Sequence, residues 1–250
     1  MVADCPKEMK QDVAFVIVAY RPNKGRLRSL QSALADYPVI TIDNTTNNRG
    51  YAGGANAGIK KALEGGAKWI VVLNQDISMS KNATVELATK VPKAKSGIAG
   101  PFAGGLDPRR WTTILPSKRV DYITGSCIAI HRDVIEKVGD LHEPYFLYYE
   151  EADLCVRAKH AGFPLTHIPV KGITHEESVS LGKGSVLHQY YLARNHLLFV
   201  ERCAPAWVKL YEYLRMSLTI LEHVQKRESG ALTGIRDYFF RSFGSYNRGV

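Results

Sequence analysis

Three stretches of the chain hold residue types that can act on a phosphorylated substrate. The first is Asn74-Gln75-Asp76, where an acid closely follows the apolar run Trp69–Leu73. An acid there could hold Mg²⁺ or Mn²⁺ against a diphosphate, because these hard cations favour oxygen ligands. One carboxylate is a weak metal site, so a second ligand is needed. His175, in Gly172-Ile173-Thr174-His175, is the best candidate, although a lone loop histidine is more often structural. The third stretch is Glu150-Glu151-Ala152-Asp153, three acids in four residues at an expected helix start. Acids there complement the helix dipole. A carboxylate aimed at a hydroxyl can equally take its proton as a carbon centre is attacked, which makes Glu151 or Glu150 a candidate general base.

Two further features suit a nucleotide. Ala19-Tyr20 and Asp43-Asn44 each end an apolar run. A carboxylate beside an aromatic ring at a sheet rim can accept a nucleobase N–H while the ring packs on a face, though an Asp at a strand end is more often a turn residue or helix cap. Between Asn48 and Gly58 the glycines fall at 50, 53, 54 and 58. They permit close backbone approach to a ligand ahead of a helix whose N–H groups point outward; a flexible connection is the equal alternative.

Such residues need a frame. Val13–Ala19, Val39–Ile42 and Trp69–Leu73 are short apolar runs, alternating with helical spacing over Arg26–Ala35 and Asn56–Gly65. This order predicts a doubly wound, mostly parallel α/β sheet flanked by helices, with ligands at the carboxyl ends of the strands. Further strands are expected near Ile98–Pro101, Val120–His131 and Leu165–Pro169, and helices over Arg132–Val138 and Glu151–His160. Lys90–Arg119 reads mainly as a long variable loop. From Val186 the pattern turns helical, and Ala206–Lys226 carries Trp207, Leu210, Tyr211, Leu214, Leu218 and Leu221 near helical spacing. The expected division is a domain over 1–202 and a helical C-terminal extension over 203–250, packed on the domain, a partner or a lipid surface.

Composition narrows the class. With 250 residues, 45% hydrophobic and 23% charged, the chain can bury one large core. No apolar run approaches the ~20 residues that cross a bilayer, and the N-terminus lacks the apolar core of a secretory signal, so the expected location is cytoplasmic. Cys5, Cys127, Cys155 and Cys203 form no C-x-x-C pair, which argues against a zinc motif or a disulfide framework. The net charge of +9 suits anionic partners. No dense basic block or nucleic-acid-binding signature accompanies it, so no nucleic-acid partner is expected.

Taken together, VIVAYRP (16–22), VITIDN (39–44), NRGYAGGANAGI (48–59), WIVVLNQD (69–76), the run from Tyr122 to Phe163 and YYLARN (190–195) resemble family 2 glycosyltransferases of the GT-A fold, in the rhamnosyltransferase-like group. The resemblance covers roughly residues 13–200. It implies inverting transfer from a nucleotide-diphosphate sugar, with dTDP-rhamnose favoured, to a hydroxyl of a saccharide or polyprenyl-linked acceptor in cell-surface polysaccharide assembly. It places Asp43 on the base, Ala19 and Tyr20 around it, and Asn48 and Asn56 along the nucleoside. Asp76 matches the last residue of a D-x-D-type metal motif and His175 the late metal-binding histidine. Glu151 matches the base, and Arg194 could face the diphosphate. Asn74 stands where the first acid of D-x-D is expected, which removes one negative charge from the metal site but leaves a carbonyl that can bond a ribose. Glu151 replaces an Asp, which leaves open whether it or Glu150 reaches the acceptor.

Two other enzyme classes fit the sequence less well. A sugar-phosphate nucleotidyltransferase would carry a Gly-rich basic loop after the first strand, and AYRPNKGR has one late glycine. A dehydrogenase would carry the G-x-G-x-x-G fingerprint, which is absent. A non-catalytic nucleotide-sugar binder stays as the alternative. Peripheral attachment at the inner face of the membrane and a homodimer are both open partners for the 203–250 region.

Overall fold

The computed structural model describes residues 12–175, 182 and 184–246, so Cys5 lies outside the described residues. The elements run β1 (Val13–Ala19), α1 (Lys24–Ala33), β2 (Val39–Asp43), α2 (Gly50–Glu64), β3 (Trp69–Asn74), β4 (Ile77–Met79), α3 (Lys81–Lys90), β5 (Ile98–Gly100), β6 (Ala103–Leu106) and β7 (Thr113–Ile114). They continue with β8 (Tyr122–Ile123), β9 (Cys127–His131), α4 (Arg132–Val138), α5 (Glu150–His160), β10 (Leu165–His167) and β11 (Ile173–His175). Three helices complete the chain: α6 (Val186–Cys203), α7 (Ala206–Gln225) and α8 (Ser229–Phe239).

Strand β1 is apolar and buried at every position because both its faces are covered. Ala14, Val16 and Val18 enter one core with α2 and α5, while Val13, Phe15 and Ile17 enter another with α1 and α3. This is the pleat of a strand sandwiched between helix layers. β2 and β3 flank β1 in parallel, with Ala19 level with Asp43 and Val18 level with Asn74. All three therefore deliver their polar residues to one rim. The sheet order is β10-β5-β9-β3-β1-β2, with β9 antiparallel to both neighbours, which matches the expected GT-A-like α/β class. Among the described residues, no helix is long and apolar enough to cross a membrane.

Four local expectations change. Lys90–Arg119 holds two short strands beyond the one expected near Ile98–Pro101: β6 pairs with both β7 and β8 in a small three-stranded sheet. Val120–His131 is broken into β8 and β9 by a bend at Thr124–Ser126. β11, which has no periodic signature, pairs antiparallel with β4. Lastly, α2 starts at Gly50, six residues before Asn56, so the glycine-rich stretch is helix rather than a ligand-cradling loop. A Cβ on Gly58 would lie 2.1 Å from Val16 Cγ1, and one on Gly54 2.7 Å from Val18 Cγ1. These glycines let the helix lie directly on β1. Gly58→Ala should therefore overpack the interface and cost about 1–3 kcal/mol, read as a lowered Tm in thermal denaturation.

Candidate active site

Two cavities meet at the carboxyl rim of the sheet. The first, of about 330 Å³, is lined by Val18 and Tyr20 from the end of β1, Asn44 and Asn48 after β2, Tyr51 of α2, and Asn74, Gln75 and Asp76 after β3. Its far wall comes from much later in the chain: Phe146, Leu187, Tyr191, Ser245 and Tyr246. The second, of about 700 Å³, holds Glu150, Glu151, Thr124, Ser126, His167 and His175 with the apolar surfaces of Phe102, Leu115, Pro116 and Tyr122. Tyr51, Asn74, Asp76 and Leu147 line both. The cavities are therefore two chambers of one cleft, with Asp76 at the junction.

The rim is set by hydrogen bonds between strand ends. Gln75 accepts from the Tyr20 N–H at 2.7 Å and returns a bond from its own amide to the Tyr20 carbonyl at 2.8 Å, locking β1 to β3. The buried Asn44 donates to the Gly50 carbonyl and accepts from the Arg49 N–H, which fixes the entry to α2. Asn48 lines the first chamber, its carbonyl accepting from the Gly50 N–H at 3.0 Å. Asp43 stands exposed at the end of β2, outside the chamber lining, and accepts from Thr45 N–H at 2.9 Å. Those side-chain and backbone bonds from Thr45 hold its carboxyl below the ordinary carboxylate value. Ala19 is buried beneath this rim.

The β4–β11 ribbon solves a long-range problem. His175 pairs with Ile77, the residue after Asp76, so two residues distant in sequence become neighbours. His175 Nε2 lies 3.3 Å from Asp76 Oδ1, yet that oxygen is buried and lacks a well-oriented hydrogen bond. The short separation satisfies Coulomb attraction but not donor geometry, so the oxygen is still open to a ligand. A carboxylate beside an imidazole, with one uncommitted buried oxygen, fits a divalent cation whose other ligands come from a diphosphate. Among the described residues no group of three or more His, Cys, Asp and Glu forms a closed metal cage. The substrate would have to complete the coordination.

Glu150 and Glu151 open α5 on the opposite side of the cleft. Glu150 is buried and Glu151 partly so, and each has one buried carboxylate oxygen, Oε2, without a hydrogen-bond partner. Glu151 Oε1 accepts weakly from Gly125 N–H at 3.4 Å, and the Gly125 carbonyl in turn takes the Tyr51 hydroxyl. Burial, reinforced by the charge of Glu151, raises the Glu150 carboxyl well above the usual range, and burial raises that of Glu151 too. The third acid, Asp153, is structural. Tyr145, Arg157, Arg202 and Cys203 all bond its carboxylate, which ties α5 to α6.

Two residues expected in the nucleotide site are used elsewhere. Asn56 is buried, its amide donating to the Leu141 carbonyl and Glu143 while its carbonyl accepts from Leu141 N–H. It fastens α2 to the segment that leads to the acids. Arg194 is fully buried and all five of its N–H groups are committed, so it does not face a diphosphate. Its acceptors are Asn195, the Tyr190 hydroxyl and the carbonyls of Gly244, Pro144 and Tyr145. Through Gly244 it pins a C-terminal strap, in which Tyr246 N–H donates to the Tyr191 hydroxyl at 2.9 Å and the Tyr246 ring meets Tyr190 edge-on. Gln75 could have been suspected from its place beside Asp76. Nothing in the sequence marks Leu187, Tyr191 or Tyr246 as cleft residues.

Two outcomes follow from this geometry. The native state holds the Glu150 proton more tightly than the unfolded chain, so stability falls as pH rises from the ordinary glutamate value through the raised one. Glu150→Gln should accordingly raise Tm at neutral pH and leave it nearly unchanged where Glu150 is protonated in both states; a lowered Tm at neutral pH would mean the charge is compensated. Deleting the chain from Gly244 onward should weaken nucleotide binding by about tenfold, measured by calorimetric titration, because one wall of the first chamber is lost.

No protein-family model matches the chain. Curated relatives do. It is 26% identical to the low-salt glycan biosynthesis hexosyltransferase of Haloferax volcanii, covering 92% of each chain. It is 28% identical to the N-acetylglucosaminyl-diphospho-decaprenol L-rhamnosyltransferase of Mycobacterium tuberculosis, covering 80% of each. It is 24% identical to a dTDP-rhamnosyl transferase of Shigella flexneri, over 91% of this chain and 97% of that one. Among solved structures, GalNAc-T7 with UDP, GalNAc and Mn²⁺ superposes with a TM-score of 0.64 at 13% identity, over 94% of this chain and 57% of that one. Staphylococcus aureus TarS residues 1–349 with UDP-GlcNAc gives 0.54 at 12% identity, over 91% and 80%. The structural likenesses establish the fold, and the relatives the kind of enzyme. The chain is a glycosyltransferase with the GT-A fold, similar in sequence to rhamnosyltransferases.

Proposed function

We propose that the chain transfers rhamnose, with inversion, from dTDP-rhamnose to a hydroxyl of a saccharide carried on a polyprenyl diphosphate, at the inner face of the cell membrane. The observation that carries this reading is the two-chambered cleft, with unpaired buried carboxylate oxygens at the junction, on Asp76, and in the second chamber, on Glu150 and Glu151. An unsatisfied buried polar group costs about 1–3 kcal/mol, more if charged, so such oxygens mark a place where a ligand supplies the missing partners. The names of the Shigella and Mycobacterium relatives supply the donor and the lipid-linked acceptor.

In this reading the nucleotide occupies the first chamber, between Tyr20, Asn48 and Gln75 on one side and Tyr191 and Tyr246 on the other. Asp76 and His175 would hold a divalent cation, which when bound offsets the charge of the leaving diphosphate. The acceptor sugar occupies the second chamber. Tyr122 and Phe102 offer apolar surfaces to a sugar face, and the Thr124–Ser126 hydroxyl pair, 2.8 Å apart, offers hydrogen bonds. The acceptor oxygen attacks the anomeric carbon, and the carbon–oxygen bond to the diphosphate breaks on the opposite face. Glu151 takes the hydroxyl proton. Burial and the neighbouring Glu151 charge raise the Glu150 carboxyl further than burial raises that of Glu151, which favours Glu151 as the base.

Burial of Glu151 has a measurable sign. A base must be ionised, so the acidic limb of kcat/KM should lie above the ordinary glutamate pKa of ~4.3. Glu151→Gln should lower turnover by ~10²-fold or more while dTDP binding survives. Equal loss in Glu150→Gln with Glu151→Gln near wild type would reassign the base. A thermal-shift panel of UDP, dTDP, GDP and CDP with and without Mn²⁺ tests the donor class. Stabilisation by dTDP that depends on the metal, and that His175→Ala weakens, is the expected result. No response to any nucleotide would overturn the donor assignment.

A further inference from the structure

Helix α7 is inside out. Its inward stripe is Val208, Glu212 and Thr219, the only positions of its 20 that are buried, and Glu212 is held by Arg110 at 2.9 Å. Its outward side carries Trp207, Leu210, Tyr213, Leu214, Leu218 and Leu221, each between 50% and 73% exposed. A surface helix of a water-soluble domain has the opposite arrangement. At 100° per residue these side chains and Val224 spread over about 140° of the helix circumference, wider than the narrow seam that one partner helix covers. Phe239 and Phe240, at the end of α8, add 55% and 77% exposed rings.

Charge identifies what covers this face. The acids of the last three helical elements are taken up by the protein's own cations: Glu212 by Arg110, Glu222 by Arg215, Glu228 by His223, Asp237 by Arg236. Lys209, Lys226 and Arg227, in contrast, are exposed beside the apolar face. Apolar side chains fringed by cations, with the carboxylates withdrawn, complement a surface that is apolar inside and anionic at its boundary. The Arg110–Glu212 bond also fastens α7 to the loop between β6 and β7, the small sheet that walls the acceptor chamber and exposes Ile114 and Leu115.

We infer that α7 lies flat in the headgroup region of an anionic lipid bilayer, holding the acceptor chamber beside that surface. The inference concerns lipid binding itself and stands apart from the donor and the reaction. The test is co-sedimentation of the full chain with phosphatidylcholine vesicles and with vesicles of phosphatidylcholine mixed with phosphatidylglycerol. The expected result is partition onto the mixed vesicles, weakened by salt, and lowered by about tenfold or more in Lys209→Glu/Lys226→Glu and in Leu214→Glu/Leu218→Glu. Both pairs are exposed, and an unchanged Tm would show that the variants fold. Equal binding to neutral vesicles, or binding that both double variants retain, would overturn the proposal. So would a wild-type dimer in light scattering that Leu214→Glu/Leu218→Glu makes monomeric without any vesicle binding, since the face would then belong to a second copy. Nucleotide stabilisation of Tm that persists in these variants separates loss of docking from loss of the donor site.

Discussion

Arg194 and Asn195, side by side on α6, hold the aromatic loop over 144–149 in a backbone shape that it would not adopt alone. Phe146, Tyr148 and Tyr149 all have positive φ, between 66° and 75°. Each such residue costs of order 1–3 kcal/mol. The guanidinium takes the carbonyls of Pro144 and Tyr145, and the Asn195 amide lies within bonding distance of those of Tyr145, Leu147 and Tyr148. Bonds from a buried cation are stronger than neutral ones, which is how they offset the strain. The contorted loop ends at the first residue of α5, so the clamp decides where Glu150 and Glu151 point. The same guanidinium holds Gly244, so one side chain sets both the acids of the second chamber and the strap of the first.

The acids show a division of labour that position in the chain does not reveal. Asp153 is fully buried but surrounded by donors, and although burial alone would raise its carboxyl, the Arg202 and Arg157 bonds bring it below its usual value. Glu150 and Glu151, three and two residues earlier, each leave one buried oxygen without a donor. Desolvation therefore dominates for them and moves their carboxyls upward. Tyr148 responds to the same surroundings, pushed up to about 12 by burial and by the nearby glutamate charges. Tightly paired charge belongs to the scaffold here, and under-paired charge to the cleft.

The C-terminal helices extend the same logic. α6 supplies the clamp and part of the first chamber, and α8 locks onto it through the Asp237–Tyr190 bond at 3.0 Å. Bound to the body by Glu212, α7 leaves its apolar side outward. α6 also enters the main core through Leu198, Phe199 and Cys203 and meets α7 through Val200, Ala204 and Val208, so apolar packing and buried ion pairs together link the helices to the cleft.

The sequence by itself determined the elements whose signal is local. The continuous apolar runs of β1 and β3 specify strands covered on both faces, and their polar ends specify the ligand-binding rim, because the strand period and burial are written residue by residue. Asp76, Glu150 and Glu151 were legible as candidates for the same reason. Tertiary structure alone decided the rest. The glycines of α2 look like a phosphate loop until Val16 and Val18 are seen beneath them. Arg194 and Asn56 look like ligands until their buried carbonyl partners are counted. Asp76 meets His175 only through a short ribbon with no periodic signature, and Tyr246 reaches the cleft only because Arg194 holds Gly244. Each of these depends on a contact between distant segments, and the free energy of such a contact belongs to the pair, which neither segment records alone.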